Sequence, residues 1–222
     1  MGKLVVIEGL DGSGKSTQLD LLAKRLDENG VANKTVSFPE YDLKSCEPVK
    51  MYLKGEFGKK PSDVNAYTAS AFYAIDRFAS YKLKWSEFYN NGGLILAGRY
   101  TTSNAIHQTS KLDAAMWEEY INWLEDFEYK KIGIPKPDLV IYLNVPVTVS
   151  QELLRRRYNG EEGKKDIHER DVQYLEKCHE VADFACRHLN WKVIECYENG
   201  SLRSVESISN EILDILNKNN IC

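Results

Sequence analysis

Eight residues near the start of the chain have the types and the spacing of a phosphate cradle. Gly9-Leu10-Asp11-Gly12-Ser13-Gly14-Lys15-Ser16 follows the pattern G-x-x-x-x-G-K-S/T, and Thr17 extends it. Glycines let a backbone turn tightly enough to aim successive N–H groups at one anion. A helix beginning at the same point adds the positive end of its dipole. Lys15 is placed to reach the β- and γ-phosphates of a nucleoside triphosphate, and the Ser16 hydroxyl to ligate Mg²⁺. Gly9, Asp11, Gly12, Ser13, Gly14, Lys15, Ser16 and Thr17 are therefore the expected ATP-binding residues, with Ser16 the expected metal ligand.

Cations beyond the cradle indicate what is done with the triphosphate. Arg77 and Arg99 lie within or beside apolar stretches, and a second group runs from Arg155-Arg156-Arg157 to Lys165. Transfer of a phosphoryl group between two anions needs positive groups on both, because the transition state spreads negative charge over its equatorial oxygens. A basic segment closing over the donor supplies charge and excludes water. A GTPase would carry N-K-x-D to read guanine. Asn33-Lys34-Thr35-Val36 lacks the aspartate and falls in a strand.

The elements that must position these groups alternate. Leu4 to Ile7 is a β-branched apolar run, as in a strand buried on both faces, and the helical period after it extends to Leu26. Val31 to Phe38 reads as a second strand, ending in Phe38-Pro39-Glu40-Tyr41, and Ser45 to Lys54 as a short helix. Ser62 to Asn90 reads as one long helix or two abutting ones, rich in aromatic residues that suit a core and a subunit interface. Asp76 and Arg77 within it are either a solvated pair or groups facing a pocket. Leu94 to Ala97 is a third strand running into Gly98-Arg99-Tyr100-Thr101-Thr102-Ser103-Asn104, and Ala114 to Glu128 the clearest part of the helical stretch after it. Asp138 to Leu143 is a fourth strand, and the helix after it ends at the arginine triplet. Tyr158 to Lys165 reads as a mobile loop, Asp166 to His188 as a helix, Lys192 to Cys196 as a fifth strand and Ser204 to Asn217 as an amphipathic helix. This alternation predicts an α/β fold with a parallel sheet covered on both faces, whose ligands bind at the carboxyl ends of the strands.

Bulk properties narrow the class. With 222 residues, 43% hydrophobic and 28% charged, the chain fits one domain, 1–222, with a small mobile insertion. A net charge of −4 argues against nucleic acid or an anionic membrane as the main partner. Glu8 and Asp11 interrupt the early apolar run, so no signal peptide is expected, and no stretch has transmembrane length. The five cysteines are scattered without a C-x-x-C pair, which suits free thiols in a cytoplasmic protein.

Taken together, the motifs resemble the thymidylate kinases, nucleoside monophosphate kinases of the P-loop NTPase group. The resemblance is carried by G-L-D-G-S-G-K-S-T-Q at 9–18, F-P-E at 38–40, Y-A-I-D-R-F at 73–78, G-R-Y-T-T-S-N-A-I-H-Q at 98–108, P-K-P-D-L-V-I-Y-L-N-V-P at 135–146 and the basic segment from 155. It implies a three-layer sandwich of the P-loop NTP hydrolase type, with a five-stranded parallel sheet flanked by helices and a short lid at about 155–166. It also implies transfer from ATP, with Mg²⁺, to thymidine monophosphate, and a homodimer. By the same resemblance Asp11 would contact the sugar 3′-hydroxyl, Tyr73 would stack on the base and Arg77 would donate to a base carbonyl. Arg99 would bridge the two phosphate groups, and Phe38, Pro39, Ser103, Asn104, His107 and Gln108 would complete the acceptor site. The catalytic cations would be Lys15, Arg99 and Arg157, with Arg156 and Lys165 behind the last. Some members carry an arginine at the position of Gly12; those without it take their catalytic arginine from the lid.

The chain departs from the family pattern at Gly98, where an aspartate is usual, at Tyr41, where an arginine is common, and at His107, which replaces an aromatic. Asp166, Glu162 or Glu40 are the expected substitutes for the first, and Arg99 or Lys44 for the second. A dianionic monophosphate needs no base to attack, so the missing carboxylate fits a nucleotide acceptor better than a nucleoside. Two alternatives remain open at this level: a kinase for another nucleoside or monophosphate, and a nucleotide-binding homologue without catalysis.

Overall fold

The computed structural model describes residues 1–159, 167–169 and 171–221, and of Arg157 the backbone alone. Strand β1 (Lys3–Glu8) is apolar through its centre and passes through the glycine loop into α1 (Lys15–Glu28). β2 (Asn33–Ser37), α2 (Glu47–Leu53) and α3 (Ala66–Ser80) follow. Asn65 caps α3 by accepting the Thr68 N–H at 2.8 Å. α3 continues through a π-helical turn, Tyr81–Trp85, into α4 (Ser86–Asn90). Next come β3 (Leu94–Gly98), α5 (Thr101–His107) and α6 (Trp117–Glu125), whose continuation, Asp126–Ile132, is again π-helical and ends at Gly133 with φ 80°. β4 (Leu139–Asn144), α7 (Val147–Arg157), α8 (Val172–His188) and β5 (Lys192–Glu195) complete the alternation. The chain closes with a hairpin, β6 (Tyr197–Glu198) and β7 (Ser201–Leu202), and α9 (Val205–Lys218).

The five long strands form one parallel sheet in the order β2-β3-β1-β4-β5, a three-layer α/β sandwich of the P-loop type. Successive side chains point to opposite faces. Leu4, Val6, Ile95, Ala97, Val140 and Tyr142 pack with residues of α3, α5, α6 and α8. Val5, Ile7, Leu94, Leu96, Ile141, Leu143 and Ile194 pack beneath α1 and α9. A strand enclosed on both faces must be apolar at both parities, which is why β1, β3 and β4 read as continuous hydrophobic runs. The chain leaves β1 in one direction toward β2 and β3 and in the other toward β4, so a crevice opens above the carboxyl end of β1.

Several expectations change in detail. Residues Pro61–Asp63 form a separate 3₁₀ turn, so the long helical stretch begins at Ala66. Asp76 and Arg77 are each 1% exposed and are not a solvated pair. The helix expected from Asp166 starts at Val172, with Asp171 capping it through the Tyr174 N–H at 3.0 Å. Ile167, His168 and Glu169 instead form a turn whose side chains are buried. The β6–β7 hairpin was not expected; its turn, Asn199-Gly200, has φ of 50° and 80°, as a type I′ turn requires. Cys46, Cys178, Cys186 and Cys196 are free and buried, and burial pushes each thiol up to about 12. No described helix is long and apolar enough to cross a membrane.

Candidate functional site

The loop after β1 is shaped as its glycines suggest. Gly12 and Gly14 have φ of 81° and 85°, and Gly14 immediately precedes the first residue of α1. A Cβ on Gly12 would lie 2.6 Å from the Ser150 carbonyl of α7, so the loop has no room for a side chain there. Gly9 and the buried Ser13 pack against each other, where a Cβ on Gly9 would meet Ser13 Oγ at 2.5 Å, and these two expected donor-site residues are not in the cleft lining. Lys15 Nζ donates to the Leu10 carbonyl of its own loop at 2.7 Å. Asp11, Gly12, Gly14, Lys15, Ser16 and Thr17 line a cleft of about 740 Å³ that also holds Gly98, Arg99, Tyr158 and Glu169. Oxygen ligands suit Mg²⁺, which keeps several waters and uses few protein groups. Ser16 and Asp11 both line this cleft, and no cluster of three metal-ligating side chains occurs among the described residues. The site therefore suits a magnesium ion held jointly by Ser16 and nucleotide phosphates.

Adjoining the cleft is a smaller cavity of about 90 Å³. All ten residues expected around the acceptor line it: Asp11, Phe38, Pro39, Tyr73, Arg77, Arg99, Ser103, Asn104, His107 and Gln108. They come from the loops after β1, β2 and β3 and from the inward faces of α3 and α5. Tyr73 is held edge-on by Tyr52, centroids 6.4 Å apart. Asp11 and Arg99 line both spaces.

Arg99 joins the two. It follows β3 with φ 64°, a left-handed conformation that costs a non-glycine residue about 1 kcal/mol. Its amide donates to the Ile7 carbonyl at 3.3 Å, which brings it over the end of β1. Nη2 donates to Asp11 Oδ1 at 2.5 Å, Nη1 donates to Ser103 Oγ at 3.2 Å, and Nη1 lies 3.3 Å from His107 Nε2. Burial opposes the charge of Asp11, but the Arg99 guanidinium and then Lys15 hold its carboxyl well below the usual range. Burial and the same guanidinium push His107 down to about 3. His107 is therefore neutral at physiological pH, accepts from Arg99 at Nε2, and turns its protonated Nδ1 toward Cys178 Sγ at 3.4 Å.

Arg77 is more committed than the sequence suggested. Nε and Nη2 donate to the two oxygens of Glu128 at 2.7 and 2.5 Å, and Nη1 donates to the Tyr100 carbonyl at 3.2 Å. A guanidinium carries five N–H groups, so two are left for the cavity that Arg77 lines. Asp76, one residue earlier, accepts the Glu40 N–H at 2.8 Å and fastens the Phe38-Pro39-Glu40 loop to α3. One turn apart, on α5 and at its C-cap, Asn104 Nδ2 and Gln108 Oε1 are buried without a hydrogen-bond partner among the described residues. A donor and an acceptor held ready in this way match a ring that presents both, and leaving them unmatched would cost about 1–3 kcal/mol each.

Four groups at the site were not singled out from the sequence. His168 lines the smaller cavity, stacked on His107 with centroids 5.7 Å apart, and its Nε2 lies 2.8 Å from the Tyr52 hydroxyl. Glu169 lines the cleft and accepts from Tyr158. Glu128 holds Arg77, and Glu8 sits beneath Arg99. Of the substitutes expected for a carboxylate at 98, Glu40 pairs with Lys84 at 3.1 Å, whereas Asp166 and Glu162 lie outside the described residues. Tyr41 lines both spaces, and Lys44 is exposed. In the expected lid, Arg155 and Arg156 pair with Glu152 at 3.1 and 3.0 Å, both exposed. The Arg157 side chain and Lys165 lie outside the described residues, as does the expected loop from residue 160 to 165.

The chain is similar in sequence and fold to known proteins over most of its length. A family model described as thymidylate kinase matches residues 7–212. Thymidylate kinase of Prochlorococcus marinus (strain AS9601) is 28% identical over 223 residues, covering 98% of this chain and 97% of its own. That of Plasmodium falciparum (isolate 3D7) is 29% identical over 218 residues, covering 98% and 90%. That of Mycobacterium tuberculosis (strain ATCC 25618 / H37Rv) is 27% identical over 176 residues, covering 78% and 81%. The solved thymidylate kinase structure from Candida albicans superposes with a TM-score of 0.72 at 20% identity, covering 99% of this chain and 93% of that one, a likeness of fold.

Proposed function

The chain belongs to the thymidylate kinase family, and from that premise we propose a division of labour within its site. The enzyme transfers a phosphoryl group from ATP to thymidine 5′-monophosphate, producing the diphosphate and ADP. The glycine loop and Lys15 hold the donor, and Ser16 with the donor phosphates holds Mg²⁺, which supplies charge neutralisation when bound. The smaller cavity takes the acceptor. Tyr73 stacks on the thymine, Arg77 and Asn104 donate to its carbonyl oxygens, Gln108 Oε1 accepts from its N3–H, and Asp11 accepts from the sugar 3′-hydroxyl.

The observation that carries this reading is that Asp11 and Arg99 line both spaces, so two nucleotides bound there would meet end to end at one guanidinium. An oxygen of the acceptor monophosphate attacks the γ-phosphorus. The new O–P bond forms as the bond to the β-phosphate oxygen breaks, and ADP leaves with that electron pair. The attacking group is already an anion, so no side chain takes a proton. Arg99 stabilises the transferring group. A lid at about 155–166, with Arg157 as the catalytic cation, closes over the donor within one kinase domain, 1–222. Two chains associate through the helical surface on which Ile75, Phe78 and Leu83 are 51, 39 and 73% exposed. The cytoplasm suits both the substrates and the free thiols.

A coupled assay for ADP with thymidine, dTMP, dUMP, dCMP and dGMP tests the reading. Turnover of dTMP above the others is the expected result. Turnover of thymidine alone would assign the cavity to a nucleoside, and binding of dTMP without ADP release would mark a non-catalytic homologue.

A further inference from the structure

Glu8 is the last residue of β1 and is 0% exposed, next to a site built to hold anions. A carboxylate in that setting is costly unless its oxygens are well matched, and here they are. Oε1 accepts the Gly9 N–H at 2.9 Å and lies 3.7 Å from Arg99 Nη1. Oε2 accepts from Thr102 Oγ1 at 2.6 Å and from Ser103 Oγ at 2.7 Å. One side chain thus ties together the start of the phosphate cradle, the guanidinium at 99 and the first turn of α5.

We propose that Glu8 is a positioning residue for the transfer reaction, acting through Arg99 and Ser103 rather than on either substrate. The Ser103 hydroxyl has one proton. Because that proton goes to Glu8, the oxygen is left to accept from Arg99 Nη1 at 3.2 Å. Glu8 therefore fixes the direction of the serine and, with it, one edge of the guanidinium. The backbone benefits as well. Arg99 is in the left-handed region, held before it by the Ile7 carbonyl and after it by the two hydroxyls that Glu8 engages. With glycine at 98, the residue next to Arg99 in β3 contributes no carboxylate, and the charge facing Arg99 from below comes from the neighbouring strand.

The proposal rests on the assignment of Arg99 to phosphoryl transfer, and the test separates the two. Glu8→Gln keeps the shape but replaces one accepting oxygen with a donor. Its kcat for dTMP should fall 10- to 100-fold, with KM for ATP and for dTMP each within threefold of the parent. In an Arg99→Ala background the same substitution should change kcat by less than twofold, because the group it orients is gone. Glu8→Asp, which retains the charge, should recover part of the loss. If Glu8→Gln folds poorly, Ser103→Ala and Thr102→Val, which remove its partners, are measured in the same two backgrounds. An equal fractional loss with and without Arg99, or an unchanged kcat, would overturn the role of Glu8. Arg99→Ala with full dTMP turnover would instead overturn the assignment of Arg99.

Discussion

Arg99 illustrates how much a single position depends on its surroundings. Its charge is shared among Asp11, Ser103 and His107, and its backbone is in a region few side chains adopt. Arg99→Ala should lower kcat at least 100-fold while stability falls by only about 1–2 kcal/mol, read by steady-state kinetics and urea unfolding. At the preceding residue, the nearest atoms to a Cβ on Gly98 would be the end of Leu19 at 3.2 Å and Ser37 Oγ at 3.5 Å, both in side chains. Gly98→Asp should therefore fold with a loss near 1 kcal/mol and reach half-maximal rate at a lower Mg²⁺ concentration, in a melting curve and a metal titration. His107 gives a pH signature. Its folded pKa of about 3 lies below the 6.5 of an unperturbed histidine, so between those values the unfolded chain binds more protons. Stability should fall as pH drops from 6.5, with His107 alone contributing about 2–3 kcal/mol of the loss at pH 4.5; His107→Gln should remove that share in urea titrations and leave a slope of the same sign from His168, which burial also pushes well below the usual histidine range. Asp11, with its pKa lowered, adds stability that is present above its unfolded value near 3.8 and lost only below it, so a titration stopped at pH 4.5 does not include it. At this scale motif spacing singled out Lys15 and Ser16, the family resemblance singled out Asp11 and Arg99, and all four line the cleft. Glu8 and His168 carry no such spacing. Their roles arise from what the fold places next to them.

Among the elements, the alternation of strand and helix was legible because buried parallel strands must be apolar at both parities. The two π-helical turns were not, since a widened turn has the same composition as an ordinary one. Each serves the site. Tyr81–Trp85 turns Trp85 inward onto Tyr100, centroids 6.5 Å apart, and Tyr100 in turn packs on Phe38 at 5.7 Å. Asp126–Ile132 brings Glu128 to 0% exposure against Arg77. Removing one member of a buried ion pair leaves an uncompensated charge, so Glu128→Ala should lose about 3–5 kcal/mol. Glu128→Leu with Arg77→Met should recover most of that stability without recovering affinity for dTMP, shown by paired unfolding and calorimetry. α8 begins at Val172 because Ile167, His168 and Glu169 before it form a turn with buried side chains. The β6–β7 hairpin did have a signal, the Asn199-Gly200 pair, with only two residues of strand on either side.

For the whole molecule, the exposed apolar residues of α3 and its continuation are the feature a single chain leaves unsatisfied. The proposed dimer predicts that the parent chain sediments as a dimer and that Phe78→Glu with Leu83→Glu sediments as a monomer, with the far-ultraviolet spectrum unchanged. The sheet order was not legible from the sequence, since alternation fixes the layers but not which strands adjoin. That order has a consequence for how the protein is made. β1 leaves the ribosome first yet occupies the middle of the sheet, between partners that end at Gly98 and Asn144. At ordinary elongation rates the strand bearing the cradle waits roughly 10–30 s for its second neighbour. Throughout that interval the nascent chain carries an uncovered apolar edge, so its exposure to aggregation is set by the distance along the gene between the first strand and the fourth.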